Sequence, residues 1–199
     1  MRSFFCFITL LLLITHRSSA TMSRTSEAFL IVSVPDQKMA IVHHGNLIAE
    51  YPVSTSRFGI GDSIGSYATP LGTLEIATKI GHRAPDGAVF KGRRVTGEIV
   101  RPNASGRDAI LSRILWLRGL ESANRHAFER GIYIHGTPEE RLIGRPASYG
   151  CIRMRSSDVI RVFNTVEIGS KVRIVNTQLK RALLSSAVSG SDLSNRSGA

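Results

Sequence analysis

The chain has 199 residues, 42% of them hydrophobic, which is enough for one domain with a proper core and is ordinary for a globular protein. Its formal net charge of +11 favours polyanionic surroundings such as a carboxylate-rich cell wall, anionic lipid or nucleic acid. Nucleic acid is the weakest of these and is not expected as a partner, because the basic residues are scattered and no helix-turn-helix, zinc-ligand spacing or RNA-binding aromatic signature is present. A solvated basic surface is the simpler explanation of these residues.

The first twenty residues have the pattern of a cleavable export signal. Arg2 supplies the positive start, residues 4–14 form an apolar run, and small residues occupy positions 18–20. The apolar run is shorter than the roughly 20 residues that a membrane-spanning helix needs. We therefore expect residues 1–20 to be removed and no membrane span to remain; an uncleaved anchor or a buried N-terminal strand is the alternative.

Short strands separated by glycine and proline dominate the rest of the chain. The segments rich in Val, Ile and Tyr that predict strands are residues 28–34, 37–42, 46–53, 71–78, 110–117, 131–134 and 171–175. The first three are spaced as a hairpin-linked meander. This pattern favours a mainly β fold, a β-sandwich or a barrel, over a parallel α/β sheet.

One short helix is predicted after these strands. It begins at Ser156 or Ser157, where a side chain can cap the helix, and ends before Gly169. Its apolar residues recur at helical spacing, at Val159, Val162, Phe163 and Val166. The helix would pack the preceding loop against the sheet.

Two long stretches and the C-terminus are predicted to lack regular structure. Residues 54–70 and 81–106 are rich in glycine and are interpreted as binding loops or a lid, with disorder as the alternative. Residues 177–199 are predicted to be a polar, flexible tail. A single domain over residues 28–176 therefore follows the signal.

A lone cysteine carries the strongest chemical signal. Cys6 lies inside the apolar run and would leave with the signal, so Cys151 stays unpaired in an exported protein. His135 follows the predicted strand 131–134, sixteen residues earlier in the chain. A nearby imidazole can hold the pair as thiolate and imidazolium, lowering the cysteine pKa from its ordinary value of about 8.5. The pair is interpreted as a nucleophile and its base; a buried, inert cysteine is the alternative.

Neighbouring residues fit acyl-transfer chemistry. The backbone carbonyl at Gly136 could accept the second ring N–H of His135 and fix its tautomer. Gly150 allows a sharp turn in which successive backbone N–H groups converge as an oxyanion hole. Arg153 could grip a substrate carboxylate, although an ordinary surface arginine is the alternative.

These segments resemble a known family. Residues 134–137 (Ile-His-Gly-Thr) and 148–154 (Ser-Tyr-Gly-Cys-Ile-Arg-Met) are similar to the signature of the YkuD-type L,D-transpeptidases. Residues 54–61, 69–73 and 114–117 resemble the segments that precede that family's site. The resemblance extends from about Phe29 to Val175.

The resemblance implies an exported bacterial enzyme of the periplasm or cell wall that acts on peptidoglycan stem peptides and serves wall synthesis and cell shape. Cys151 would attack the L-centre carbonyl of a diamino acid, release the terminal D-residue and form a thioester. His135 would act as base and then acid. The backbone of Tyr149, Gly150 and Cys151 would bind the oxyanion. No metal or organic cofactor is implied.

Ser148 and Arg153 are expected to contact the substrate, and the resemblance leaves the acceptor open. An amine from a second stem peptide or from a wall-linked lipoprotein would give a cross-link, whereas water would give a carboxypeptidase. Tyr149 departs from the family, which most often has histidine there. An inactive wall-binding module and a redox protein are the competing interpretations, although a second cysteine for redox exchange is missing.

Overall fold

The structure is a computed structural model that describes residues 28–106 and 108–186. The predicted signal, with Cys6, and residues 187–199 of the predicted tail lie outside the described residues. Within the described ranges, none of the helices has the length and apolar character needed to span a bilayer.

The described residues contain ten strands, an α-helix that follows the ninth strand, and a second helical segment over residues 179–186. The strands are β1 (Ala28–Ser33), β2 (Lys38–His43), β3 (Asn46–Pro52), β4 (Gly72–Ile80), β5 (Ala88–Lys91), β6 (Arg94–Ile99), β7 (Ile110–Gly119), β8 (Tyr133–Gly136), β9 (Ile152–Met154) and β10 (Lys171–Val175). Helix α1 is Ser156–Thr165. Short 3₁₀ turns lie at Ser122–Asn124 and Glu140–Leu142.

All ten strands belong to one mixed sheet. Its main path runs β3-β2-β1-β10-β4-β7-β5-β6, and β8 pairs with β7 and with β9. The pairs β1–β10 and β8–β9 are parallel, and the others are antiparallel. The mainly β prediction is confirmed, and the late strands β9 and β10 return to lie beside strands from earlier in the chain.

Strand β1 shows why a continuous apolar run forms a central strand here. Successive side chains of a strand point to opposite faces. Leu30 and Val32 therefore join the main core beside α1, whereas Ile31 packs on the other face against Leu179 and Ala182. Both faces are covered, so the run needs no polar alternation.

Helix α1 forms as predicted, and its apolar face packs behind the site. Val159, Val162 and Phe163 are buried against the sheet, where each contributes about 1.5–3 kcal/mol. The helix contacts β7 and β8. Ser156 does not cap it: the cap position is Arg155, and the Ser156 N–H donates instead to a Glu140 carboxylate oxygen at 3.0 Å.

Three stretches differ from the prediction. Residues 81–106 were predicted to be irregular but contain the hairpin of β5 and β6. Every residue of β6 is exposed, so this strand has no buried face that would produce an alternating apolar pattern. Strand β9, only three residues long, was not predicted. The predicted tail is wrong over residues 179–186, which are helical and bury Leu179 and Ala182 against β1 and β2. Residues 54–70 lack regular strands, as predicted.

Candidate active site

Strand β8 holds His135 between two other strands. In the ladders, His135 lies opposite Ile114 of β7 and Arg153 of β9, and only 5% of it is exposed. Its Nδ1 lies 2.7 Å from the carbonyl oxygen of Gly136. Because a carbonyl can only accept, Nδ1 carries the proton and Nε2 keeps its lone pair. This is the tautomer that a general base needs, and the Gly136 carbonyl is the group that was expected to accept this ring N–H.

Gly136 is required by the close approach of β7 and α1. A Cβ atom at this position would lie 2.7 Å from the Leu111 carbonyl oxygen and 3.1 Å from Ser156 Oγ. The Leu111 oxygen belongs to the backbone of a paired strand and cannot move aside on its own. The Gly136→Ala variant should therefore lose about 1–3 kcal/mol of unfolding free energy, measured by urea denaturation. An unchanged denaturation midpoint would contradict this steric argument.

Cys151 lies one residue before β9, at the end of the β8–β9 ladder. The Tyr133 N–H donates to Sγ at 3.4 Å, and the thiol donates to the Gly131 carbonyl oxygen at the same distance. The partly buried side chain packs beside an apolar cluster that includes Phe90, Ile114, Tyr133 and Trp116. The parallel pairing of β8 and β9 therefore places the Cys151 thiol beside β8, the strand that contains His135.

A hydrogen-bonded turn holds the residues around the cysteine. The buried Ser148 hydroxyl donates to the Cys151 carbonyl at 2.6 Å and accepts the Gly150 N–H at 3.2 Å. Gly150 has φ +114°, and a Cβ there would lie 3.1 Å from Ile132 Cδ1 and 3.2 Å from the Ala68 carbonyl oxygen. Ser148 was expected to contact substrate; its hydroxyl instead lies inside the turn and bonds to it.

The same turn changes the expected oxyanion donors. The Gly150 N–H is already bonded to Ser148 Oγ. In the part of the chain that the structure describes, the N–H groups of Tyr149 and Cys151 have no protein acceptor. These two groups, and not that of Gly150, are therefore available to a developing oxyanion.

The loop over residues 54–70 is fastened to the cysteine turn. The N–H groups of Ala147 and Ser148 both donate to the Thr55 carbonyl at 2.9 Å, and Thr69 Oγ1 donates to the Gly150 carbonyl at 3.0 Å. Ser54 exchanges backbone hydrogen bonds with Arg153 of β9. This predicted binding loop is therefore one wall of the site.

A buried ion pair anchors that wall, and sequence reasoning missed it. Arg130 Nη1 lies 3.0 Å from Asp62 Oδ1, with 7% and 6% of the two side chains exposed. The Arg130 guanidinium also donates to the carbonyl groups of Gly61 and Ala68. No local pattern marks these residues, since 68 positions separate them in the chain.

A second ion pair lies behind the histidine. Arg153, 4% exposed, bonds through Nη2 to the Asp108 carboxylate, which also accepts the Thr137 hydroxyl at 2.9 Å. The surface alternative for Arg153 is therefore wrong. Arg153 was also expected to bind a substrate carboxylate. It is less available for that role, because its guanidinium is already paired with the Asp108 carboxylate. Asp108 was not predicted as a site residue.

Burial shifts the protonation of both His135 and Cys151. It lowers the pKa of His135 to about 4, partly offset by the hydrogen bond to Gly136. It also raises the pKa of the Cys151 thiol to about 11, partly offset by the Tyr133 N–H and the charge of Arg153. Both shifts favour a thiol and a neutral imidazole in the resting pair at neutral pH, in contrast to the expected thiolate and imidazolium.

Known proteins share short segments with this chain. It is 44% identical over 59 residues to the probable L,D-transpeptidase YcfS of Escherichia coli (strain K12), and 42% identical over 43 residues to the putative L,D-transpeptidase YqjB of Bacillus subtilis (strain 168). The YcfS segment covers 29% of this chain and 18% of that relative, and the YqjB segment covers 22% of this chain and 24% of that relative. The matched segments are therefore a small part of every protein compared.

Solved structures are also similar to this chain. The carbamoyl enzyme formed by Ldtfm and avibactam matches with a TM-score of 0.50 at 16% identity, covering 76% of this chain and 50% of that one. An L,D-transpeptidase from Xylanimonas cellulosilytica is similar with a TM-score of 0.49 at 17% identity, covering 77% of this chain and 62% of that one. Residues 27–174 match the YkuD family, described as the L,D-transpeptidase catalytic domain. The chain therefore belongs to the YkuD family of L,D-transpeptidase catalytic domains.

Proposed function

We propose that this protein is an L,D-transpeptidase that forms a thioester on Cys151 from a peptidoglycan stem peptide. The observation that carries the proposal is the position of the thiol. The Cys151 thiol donates a hydrogen bond to the Gly131 carbonyl, and its sulfur accepts one from the Tyr133 N–H. Tyr133 belongs to β8, the strand that also carries His135, whose tautomer is fixed by the Gly136 carbonyl. Family membership supports the reaction class.

In the acylation step, His135 Nε2 removes the thiol proton as Sγ attacks the L-centre carbonyl of the donor. A carbon–sulfur bond forms, and the carbonyl oxygen becomes an oxyanion held by the N–H groups of Tyr149 and Cys151. The imidazolium then protonates the amine nitrogen as the carbon–nitrogen bond breaks. The terminal D-amino acid leaves, and the acyl group stays on Cys151 as a thioester.

In the second step, an amine of another stem peptide attacks the thioester carbonyl and transfers a proton to His135 Nε2. The carbon–sulfur bond breaks, the thiol regains the proton, and a new amide joins the two peptides. Water as acceptor would leave a shortened stem, and a lipoprotein amine would give a protein–wall link. Neither step requires a metal or an organic cofactor.

We propose that the reaction takes place outside the cytoplasm, in the periplasm or cell wall. Support comes from the signal-like pattern of residues 1–20, and from the net charge of +11, which suits a carboxylate-rich polymer. A protein fused after residues 1–20 should be exported and cleaved. Retention in the cytoplasm would contradict this part of the proposal.

The test uses defined muropeptides, with the protein lacking residues 1–20 and its Cys151→Ala variant, and follows the products by mass spectrometry. The protein that retains Cys151 should gain the mass of a stem acyl group and then release a cross-linked dimer of stem peptides. The variant should do neither, because it lacks the sulfur. A shortened stem would indicate a carboxypeptidase. Binding to purified sacculi, with no adduct from muropeptides or a carbapenem, would indicate a wall-binding module and overturn the proposal.

A further inference from the structure

The backbone places Arg57 directly beside the cysteine turn. Its N–H donates to the Ser148 carbonyl at 3.2 Å, and Ser56 and Ser148 form a parallel bridge. Arg57 is thus a neighbour of Tyr149, which lies two positions before Cys151. This pairing brings a charged residue of the 54–70 loop to the mouth of the proposed site.

Aromatic side chains hold the Arg57 guanidinium in place. Its Cζ lies 4.3 Å from the centre of the Tyr149 ring and 5.0 Å from that of Phe58, and Nη2 donates to the Tyr149 hydroxyl. Phe58, Tyr67 and Tyr149 contact one another, with ring centres 5.4–5.9 Å apart. We call Phe58, Tyr67 and Tyr149 the aromatic cluster; each of the three is about half exposed. The cluster orients the cation before any ligand arrives.

The charge of Arg57 is not neutralised within the described residues. Four of the described arginines, Arg118, Arg130, Arg141 and Arg153, each bond to a carboxylate. Arg57 has ring and backbone contacts but no carboxylate partner among the residues that the structure describes. A fixed, exposed and unneutralised guanidinium is a ready site for a carboxylate from another molecule.

We propose that Arg57, held by Tyr149, binds the terminal carboxylate of the acyl-donor peptide. This inference rests on the proposed function. In that reaction the leaving D-residue carries a free carboxylate one residue beyond the attacked carbonyl. The Tyr149 N–H faces the oxyanion while its ring holds Arg57, so one residue links the two subsites.

This role also accounts for the tyrosine at position 149. Its hydroxyl accepts a hydrogen bond from Arg57, and its ring lies under the guanidinium. A histidine at this position would offer a smaller ring, and it would repel the cation when protonated. Arg57 and Tyr149 are thus specificity residues for the donor, distinct from the nucleophile and its base.

The test compares two synthetic stem tetrapeptides that differ only in ending with a free carboxylate or a carboxamide. The rate of thioester formation is followed by mass spectrometry without any acceptor. The wild type should prefer the acid by about 10- to 100-fold, the range for a hydrogen-bonded charge. Arg57→Gln should bring that ratio close to one, and Tyr149→Phe should reduce it, because the ring remains but the hydroxyl is lost.

Arg118→Gln is the matched control. Arg118 also stacks on an aromatic ring, that of Phe128 at 5.2 Å, but it already pairs with Glu75. Its loss should leave the acid-to-amide ratio unchanged. Structural damage would slow both donors equally, so an unchanged ratio in Arg57→Gln would overturn the inference while leaving the proposed function intact. Absence of thioester with both donors in the wild type would overturn both.

Discussion

Replacing His135 with glutamine should slow thioester formation on Cys151 by about 10²–10⁴-fold, the usual contribution of a positioned base. The thiol has a pKa of about 11 because it is buried, so very little thiolate exists at neutral pH without help. Glutamine has no nitrogen that can take the proton. The measurement is the acylation rate at pH 7 with saturating donor, followed by mass spectrometry.

The pH dependence separates a neutral resting pair from a thiolate and imidazolium. With pKa values of about 4 for His135 and about 11 for Cys151, acylation should rise through pH 4 and stay level to well above pH 8. Ultraviolet absorbance of thiolate, measured against Cys151→Ala, should be missing at pH 7 and develop only near pH 11. Thiolate absorbance at pH 7 would contradict the neutral pair.

The same histidine contributes to acid sensitivity. In the unfolded chain it binds a proton below its ordinary pKa of 6.5, whereas the folded protein binds that proton only near pH 4. The unfolded state therefore holds more protons across this window, and stability falls as pH drops from 6.5 towards 4. The stability of His135→Gln, measured by urea denaturation, should decline less over that range. An equal decline in both proteins would argue against a buried neutral imidazole.

Breaking the pair between Asp62 and Arg130 should cost about 3–5 kcal/mol of unfolding free energy, because a buried charge is left without its partner. Arg130→Met removes the guanidinium and leaves the Asp62 carboxylate with a single remaining partner, the His126 N–H at 2.7 Å. The Asp62→Leu/Arg130→Met double variant should lose less than the sum of the two single losses. Urea denaturation of all four proteins measures this coupling.

The exposed pair of Lys38 and Glu50 provides a matched control. Their charged atoms lie 3.6 Å apart, and 53% and 39% of the side chains are exposed, so Lys38→Met should cost less than about 1 kcal/mol. Arg130→Met should also slow acylation, because Arg130 holds the Ala68 carbonyl against which Gly150 packs. Equal losses of unfolding free energy in Lys38→Met and Arg130→Met would contradict the argument that burial makes the second pair more important.

Local patterns in the sequence predicted the elements whose signals are local. The apolar run of β1 and the helical spacing of Val159, Val162 and Phe163 each produced the expected element. Strand β9 was missed because three residues carry too little periodicity, and the β5–β6 hairpin was missed because β6 is exposed on every residue. Helical residues 179–186 were missed because their burial depends on β1 and β2.

The residue types of the proposed site could be predicted from the sequence: an unpaired cysteine, a histidine on a strand, and glycines where the backbone turns or approaches closely. The charge states and the surroundings of these groups depend on the folded chain and could not be predicted from local patterns. Pairing of Asp62 with Arg130 and of Asp108 with Arg153 joins distant parts of the chain. Burial moves the pKa of His135 and of Cys151 in opposite directions, and burial is a property of the packed sheet that no stretch of residues possesses alone.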